Sequence, residues 1–162
     1  MLQSLENSQL AALIRDELWG WPLALTIHAL GTALFVGFIL IVGLRLLGLF
    51  ETIPYTTLNR FFPIIWIALA VQFLSGFALW MTKPTRYVAD GAFVLKFSLV
   101  IVGIILTAYF QARISREAGA WEAKGAVPSR EVKLVAAASL LLWCTVLIAG
   151  RLTAYLGSIY AG

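Results

Sequence analysis

Three basic side chains that can do chemistry lie inside long apolar stretches: His28, Lys96 and Arg151. His28 is the only histidine, and it lies about two helical turns after Trp21, where an apolar run begins. An ionisable group inside a membrane-spanning helix marks a functional site by default, because its burial in lipid is costly. The sequence therefore predicts that His28 belongs to a site.

The three side chains are predicted to share one depth in the membrane. His28 is near the start of the first apolar run, Lys96 near the start of the third, and Arg151 near the end of the fourth. If the runs alternate in direction, the helical rise puts each roughly 5–12 Å from the same membrane face. No Asp or Glu lies within the runs at that depth. Bound anions, water or backbone carbonyls are therefore the expected partners.

Each of these residues also has a structural interpretation, which the sequence leaves open. Lys96 and Arg151 are close enough to the predicted surface for their chains to snorkel to the headgroups. His28 can equally form a hydrogen bond with a neighbouring carbonyl group. Gln72, near the middle of the second run, is interpreted as an interhelical hydrogen bond. The functional interpretation requires the three basic side chains to point inward together.

The composition predicts an integral membrane protein. Of the 162 residues, 61% are hydrophobic and only 12% are charged, and the mean hydropathy is +0.91. A soluble domain is close to half apolar and about a quarter charged. The net charge of +4 is spread over several connections, so the expected partner is the lipid bilayer and not nucleic acid. The single cysteine, Cys144, excludes an intrachain disulfide and a cysteine cluster for a metal.

The predicted fold is an all-α, up-down-up-down four-helix transmembrane bundle, preceded by an interfacial amphipathic helix. Residues 1–20 form that helix, because leucines recur at helical spacing and Ser8 is a plausible N-cap. Residues 21–162 form the membrane domain. Its four spans are predicted over residues 22–49, 61–82, 92–112 and 134–157, each long enough for a hydrocarbon core that needs about 20 helical residues.

The distribution of basic residues predicts the orientation. Most lie near the connections 51–60 and 113–133, and the positive-inside rule therefore puts these connections in the cytoplasm and both termini outside. The basic residues concerned are Arg45, Arg60, Arg113, Arg116, Lys124, Arg130 and Lys133.

Small residues on the first span predict self-association. Ala29, Ala33 and Gly37 recur every fourth residue, which lets a second helix backbone approach closely. A homo-oligomer, a dimer or higher, is therefore expected through this row.

Several segments resemble a family of small bacterial four-helix membrane proteins of unknown function. The matching segments are HALGTALFVGFILIVGLRLLG, SGFALW, Lys96 early in the third run, and GRLTAY at residues 150–155 with Trp143 before it. The resemblance covers roughly residues 21–160. It implies the four-helix fold but no established activity. In a bacterial cytoplasmic (inner) membrane, the orientation predicted from the basic residues puts both termini in the periplasm. More distantly, the chain is similar to copper-resistance D-type proteins and b-type cytochromes, which place histidines in four-helix bundles.

The first function hypothesis is haem b binding at the outer side of the membrane, with a role in electron transfer. Imidazole is a standard axial ligand of haem iron, so His28 is the candidate metal ligand. Lys96 and Arg151 would pair with the propionates, and Met81 or a second copy's histidine would supply the other axial ligand. The residues predicted to surround the haem are His28, Lys96, Arg151, Met81, Trp80, Phe35 and Trp143.

Two other hypotheses remain open. The first is a non-haem binding or transport component, in which the same polar layer holds a small anion, a quinone, a lipid or copper. The second is a structural assembly subunit, in which that layer only holds helices together. No catalytic residue is predicted, because the sequence shows no carboxylate pair, nucleophile–base constellation or metal-binding helix motif. An enzyme is the least favoured class.

Overall fold

The computed structural model of the chain is all-α over the residues that it describes. It describes the backbone of residues 2–89, 91–123 and 125–159, and the side chains of residues 2–88, 91, 93–123 and 125–150. No strand occurs in these ranges.

The N-terminal segment is two short helices where the sequence predicted one. Helix α1 is Leu2–Glu6 and helix α2 is Gln9–Asp16. The break falls where Ser8 takes an extended conformation and its hydroxyl accepts a hydrogen bond from the Ala11 amide at 3.2 Å. This satisfies an amide at the start of α2 that has no partner within the helix. Helix α2 packs against the neighbouring spans through Ala11 and Ile14.

Four helices are long and apolar enough to span a membrane. They are α3 (Gly20–Leu46), α4 (Phe62–Trp80), α6 (Gly91–Ala123) and α7 (Arg130–Ile159). A short helix α5, Pro84–Ala89, connects α4 to α6. The predicted four-helix transmembrane bundle is therefore confirmed, and the chain is an integral membrane protein.

The connection between α3 and α4 differs from the short polar turn expected at residues 51–60. Residues Tyr55–Phe61 form a 3₁₀ helix that leads directly into α4. Tyr55 and Leu58 on this helix are buried in the core. We call the membrane side that holds this 3₁₀ helix the connection side, and the side that holds α1, α2 and α5 the terminal side.

The bundle is most tightly packed towards the connection side. There α6 packs against the 3₁₀ helix and α7, while α3 packs against α4 and α7. Along α6, the buried residues recur every three or four positions on one face: Gly103, Thr107, Phe110, Ile114, Ala118 and Trp121. The 33 residues of α6 rise about 50 Å, which exceeds a hydrocarbon core of roughly 30 Å. Helix α6 therefore extends beyond the membrane.

Three polar contacts join α6 to the 3₁₀ helix and α4. The Glu122 carboxylate accepts hydrogen bonds from the Thr56 amide at 3.2 Å and the Thr56 hydroxyl at 2.9 Å. The Ser115 hydroxyl donates to Asn59 at 3.0 Å. Deeper in the bundle, Trp66 Nε1 donates to Gln111 Oε1 at 2.8 Å. These contacts hold α4 and α6 together at the connection side.

Towards the terminal side, α4 and α6 separate. Beyond the Trp66–Gln111 hydrogen bond, the described parts of these two helices make few contacts. Residues 93–102 of α6 are all exposed or half-buried, and Ser75 is the only buried residue of α4 among residues 71–80. On this side, the facing parts of α4 and α6 are therefore largely uncovered by the rest of the described chain. We call the region between them the lateral cleft.

The loop after α3 contains backbone geometry that its sequence does not favour. Gly48 has a φ of 103°, which glycine adopts readily, but Phe50 has a φ of 54°. A bulky residue in this left-handed region is uncommon, and the conformation costs about 1–2 kcal/mol. The Phe50 carbonyl accepts a hydrogen bond from the Ile53 amide at 2.9 Å, which closes the turn.

We predict that Phe50→Asn is more stable than Leu49→Asn by about 1 kcal/mol, because asparagine tolerates the left-handed conformation. The two side chains are equally exposed, at 51% each, so both variants lose similar apolar surface. Thermal unfolding in detergent, followed by tryptophan fluorescence, measures the difference. Equal midpoints for the two variants would show that the loop does not hold Phe50 in this conformation.

Candidate functional site

His28 lies at the interface between α3 and α4 and is half-buried. On α3, His28 and Thr32 are one helical turn apart and therefore share a face. On α4, Gln72, Ser75 and Gly76 form the matching face. The absence of a side chain at Gly76 makes room for the imidazole, because a Cβ atom there would lie 3.0 Å from His28 Cε1.

Both ring nitrogens of His28 are hydrogen-bonded to α4. Gln72 Nε2 is 2.9 Å from His28 Nε2, and Ser75 Oγ is 3.1 Å from His28 Nδ1. The Ser75 hydroxyl donates to the Val71 carbonyl at 2.6 Å. The Thr32 hydroxyl is 2.8 Å from two acceptors, Gln72 Oε1 and the His28 carbonyl. We call His28, Thr32, Gln72 and Ser75 the histidine cluster.

The hydrogen-bond donors in the histidine cluster determine which ring nitrogen of His28 carries the proton. An amide nitrogen can only donate, so His28 Nε2 must accept from Gln72. Since the Ser75 proton goes to the Val71 carbonyl, the proton on the ring is on Nδ1, and Nδ1 donates to Ser75. His28 is therefore a neutral imidazole whose hydrogen-bonding capacity is used entirely within the protein.

This arrangement does not fit axial ligation of a haem iron. A metal ligand needs the lone pair that His28 Nε2 already gives to the Gln72 amide. Ligation would require Gln72 to move away from the ring, and haem b at His28 stays a prediction.

Lys96 is half-buried on α6 and reaches towards α7. A Cβ atom on Gly150 would lie 3.2 Å from Lys96 Nζ, so the ammonium group lies against the α7 backbone. Within the described side chains, no carboxylate or other hydrogen-bond acceptor pairs with Lys96 Nζ. No described hydrogen bond or ion pair joins Lys96 to His28, and their grouping at one site stays a prediction.

The third predicted group, Arg151, follows Gly150 on α7, and its side chain lies outside the described residues. Met81 is buried at the C-terminal end of α4, where its amide donates to the Phe77 carbonyl at 2.9 Å. Trp80 is half-buried and its ring lies 5.6 Å from that of Phe77. None of the described hydrogen bonds or ring contacts joins Met81 or Trp80 to the histidine cluster.

Phe35 and Trp143 belong to the hydrophobic core. Their rings meet edge-on with centroids 4.6 Å apart, and both residues are almost fully buried. Trp143 also covers Gly103 of α6, where a Cβ atom would overlap the indole ring. The two aromatic residues therefore join α3, α6 and α7.

The row Ala29, Ala33 and Gly37 faces away from the rest of the chain that the structure describes. Both alanines are exposed, and nothing lies within 4 Å of a Cβ atom built on Gly37. The neighbouring Gly31, in contrast, packs against Gln72 of α4. The row leaves space for a second helix, and homo-oligomerisation through it stays a prediction.

The sequence did not reveal that Arg45 is buried. Its guanidinium lies 3.9 Å from the centre of the Tyr55 ring and donates to the Tyr55 hydroxyl at 3.1 Å. It also donates to the Ile53 carbonyl. These contacts tie the end of α3 to the following loop, and the cation–π contact replaces an acidic partner. Thr32 and Ser75 were also missed as histidine partners, although each lies one helical turn from a polar residue that was noticed.

Comparisons with protein-family models, curated proteins and solved structures give no match to this chain. The resemblance to small bacterial four-helix membrane proteins, and to copper-resistance D-type proteins and b-type cytochromes, therefore stays a prediction. The bacterial inner membrane and the periplasmic position of the termini also stay predictions.

We predict that Gly76→Ala destabilises the protein by about 1–3 kcal/mol, because the new methyl group crowds an imidazole that two hydrogen bonds hold in place. Gly119→Ala is the matched control, since nothing lies within 4 Å of a Cβ atom there and alanine favours the helix. Chemical denaturation in detergent, followed by circular dichroism, measures both. If Gly76→Ala is as stable as Gly119→Ala, the imidazole does not pack against Gly76.

Proposed function

We propose that this integral membrane protein binds the oxygen-bearing headgroup of an amphiphilic ligand, and that Lys96 is the residue that contacts it. The observation that supports the proposal is the half-buried Lys96 ammonium, for which the described side chains offer no acceptor. His28 has no hydrogen-bonding capacity to spare. The ligand would supply the acceptor that the described side chains do not offer to Lys96.

The burial of Lys96 favours a partner. Lys96 is the sixth residue of α6, so its insertion costs less than the roughly 2.5–3.5 kcal/mol of a lysine at the centre of a spanning helix. Lys96 Nζ lies beside Gly150, and α7 continues from there to Ile159, a rise of roughly 13 Å. The ammonium group thus lies well below the end of α7. Oxygen atoms that accept hydrogen bonds would offset the cost of its burial.

The lateral cleft supplies a route for such a ligand. A ligand with an apolar tail can enter from the bilayer between α4 and α6, where these helices make few contacts. Its tail would stay against exposed apolar side chains such as Phe77 and Phe97, while its headgroup reaches Lys96. Two kinds of headgroup share this chemistry: the carbonyl oxygens of a quinone and the oxygens of an anionic amphiphile.

We predict that Lys96→Met weakens binding of decanesulfonate or decylubiquinone at least about tenfold, the equivalent of losing one charge-assisted hydrogen bond. Methionine keeps a long apolar side chain but removes the charge. The measurement is isothermal titration calorimetry in a non-ionic detergent, with each probe tested separately. Decanesulfonate represents the anionic headgroup and decylubiquinone represents the quinone carbonyls.

The matched control is Lys83→Met, which removes an exposed lysine on the terminal side. It is expected to leave both affinities unchanged. The proposal fails if neither probe binds the unaltered protein, or if Lys96→Met binds as tightly as Lys83→Met. The absorption spectrum of the same preparation tests haem: a Soret band that disappears in His28→Ala would favour the haem hypothesis instead.

A further inference from the structure

Two buried polar atoms on α7 have no hydrogen-bond partner in the part of the chain that the structure describes. They are the Ser139 hydroxyl oxygen and the Trp143 indole nitrogen, Nε1. The two residues are one helical turn apart and therefore share a face of α7. Ser139 is fully buried and Trp143 is only 3% exposed. A buried indole N–H or hydroxyl group normally has a partner, so these two atoms call for one.

The Ser139 hydroxyl differs from most described serine and threonine hydroxyls of the spanning helices. Six of the others donate to the backbone carbonyl one turn before them: Thr26, Thr32, Ser75, Ser98, Thr107 and Thr145. Ser139 does not donate in this way to the Val135 carbonyl. Its proton is therefore available to a group outside its own helix.

The register of α6 against α7 places a third polar side chain beside these two. Lys96 Nζ lies beside Gly150, and the Trp143 ring covers Gly103. Residue numbers rise along α6 as they fall along α7, and both contacts fit a single antiparallel register. One turn further towards the connection side, that register pairs Thr107 with Ser139.

Thr107 offers an acceptor, and the Trp143 ring turns its N–H edge towards α6. Thr107 is fully buried, and its hydroxyl donates to the Gly103 carbonyl at 2.8 Å, so its oxygen can still accept. Trp143 Cε2, the ring atom bonded to Nε1, would lie 2.8 Å from a Cβ atom on Gly103. Two donors and one acceptor therefore meet at the α6–α7 interface.

We infer that Thr107, Ser139 and Trp143 bind one water molecule between α6 and α7. The water oxygen accepts from Trp143 Nε1 and from the Ser139 hydroxyl, and one water O–H donates to Thr107 Oγ1. Three hydrogen bonds are the usual number for a buried water. The ligand is this small because the described chain encloses all three side chains almost completely.

This water site lies deep in the membrane and is separate from the histidine cluster. Trp143 is roughly 20 Å along α7 from Arg130 and roughly 24 Å from Ile159. A polar group at that depth has no access to bulk water, so a bound water replaces a partner that the hydrocarbon cannot offer. The inference does not rest on the proposed headgroup site at Lys96.

The test is the nuclear Overhauser effect between water and the Trp143 indole proton, in the full-length protein in lipid nanodiscs. The chain has six tryptophans, and with nitrogen-15 in the indole ring, the signal lost in Trp143→Phe is that of Trp143. We expect a cross peak between this indole proton and water. Absence of the cross peak in the unaltered protein overturns the inference.

Two matched substitutions test which side chains hold the water. Thr107→Val and Thr145→Val each remove a hydroxyl that donates to the carbonyl one turn before it, but Thr145 is exposed. Thr107→Val should lose the cross peak and shift the indole proton signal, whereas Thr145→Val should change neither. Equal effects of the two substitutions overturn the inference.

Ser139→Ala separates a bound water from a direct contact between Ser139 and Trp143. A hydroxyl that bonds directly to the indole can also produce a cross peak, because its proton exchanges with water. If the cross peak persists in Thr107→Val and disappears in Ser139→Ala, the contact is direct and the inference is overturned. Loss of the cross peak in both variants supports the water site.

Discussion

The packing of α3 against α4 depends on the need of polar groups in the hydrocarbon region for a partner within the protein. Water is not available there, so an unpaired donor or acceptor is costly. His28 meets this requirement through Gln72 and Ser75, and these bonds fix how α3 and α4 face each other. The glycines at the same interface, Gly31 and Gly76, let the helices approach closely enough for the bonds to form. At this interface, the polar hydrogen bonds therefore depend on the close packing of the two helix backbones.

The two membrane sides of the bundle differ because they satisfy this requirement differently. At the connection side, Arg45 is enclosed by Tyr55 and the Ile53 carbonyl, and polar contacts tie α6 to the 3₁₀ helix. At the terminal side, the histidine cluster is satisfied but Lys96 is not, as far as the described side chains show. The lateral cleft lies on that same side. A cation that is accessible and lies in the less tightly packed half of the bundle is expected in a binding site rather than in a hydrophobic core.

The sequence predicted the spans well because a long apolar run has no other stable environment. It also predicted the Ser8 cap and an interhelical role for Gln72. It could not predict which faces of the spans pack, since α3 is apolar on all sides and hydrophobic periodicity marks a face only when the other side is polar. For the same reason the partners of His28 were not recognised. Arg45 resembled a topology signal, and only the path of the loop after α3 shows that it is buried. Between 17% and 33% of the most apolar part of each span is buried within the chain. The sequence therefore does not show which span residues pack against other helices.

The most direct test of the account is the nitrogen-15 NMR spectrum of the protein labelled at histidine, in lipid bilayers. Because His28 is the only histidine, each ring nitrogen gives a signal that needs no further assignment. For the ligand-free protein near neutral pH, we expect a neutral ring with the proton on Nδ1. The Nε2 signal should shift in Gln72→Leu, and the Nδ1 signal should shift in Ser75→Ala. A proton on Nε2, or signals that neither substitution changes, would contradict the claim that α4 holds the imidazole by both nitrogens.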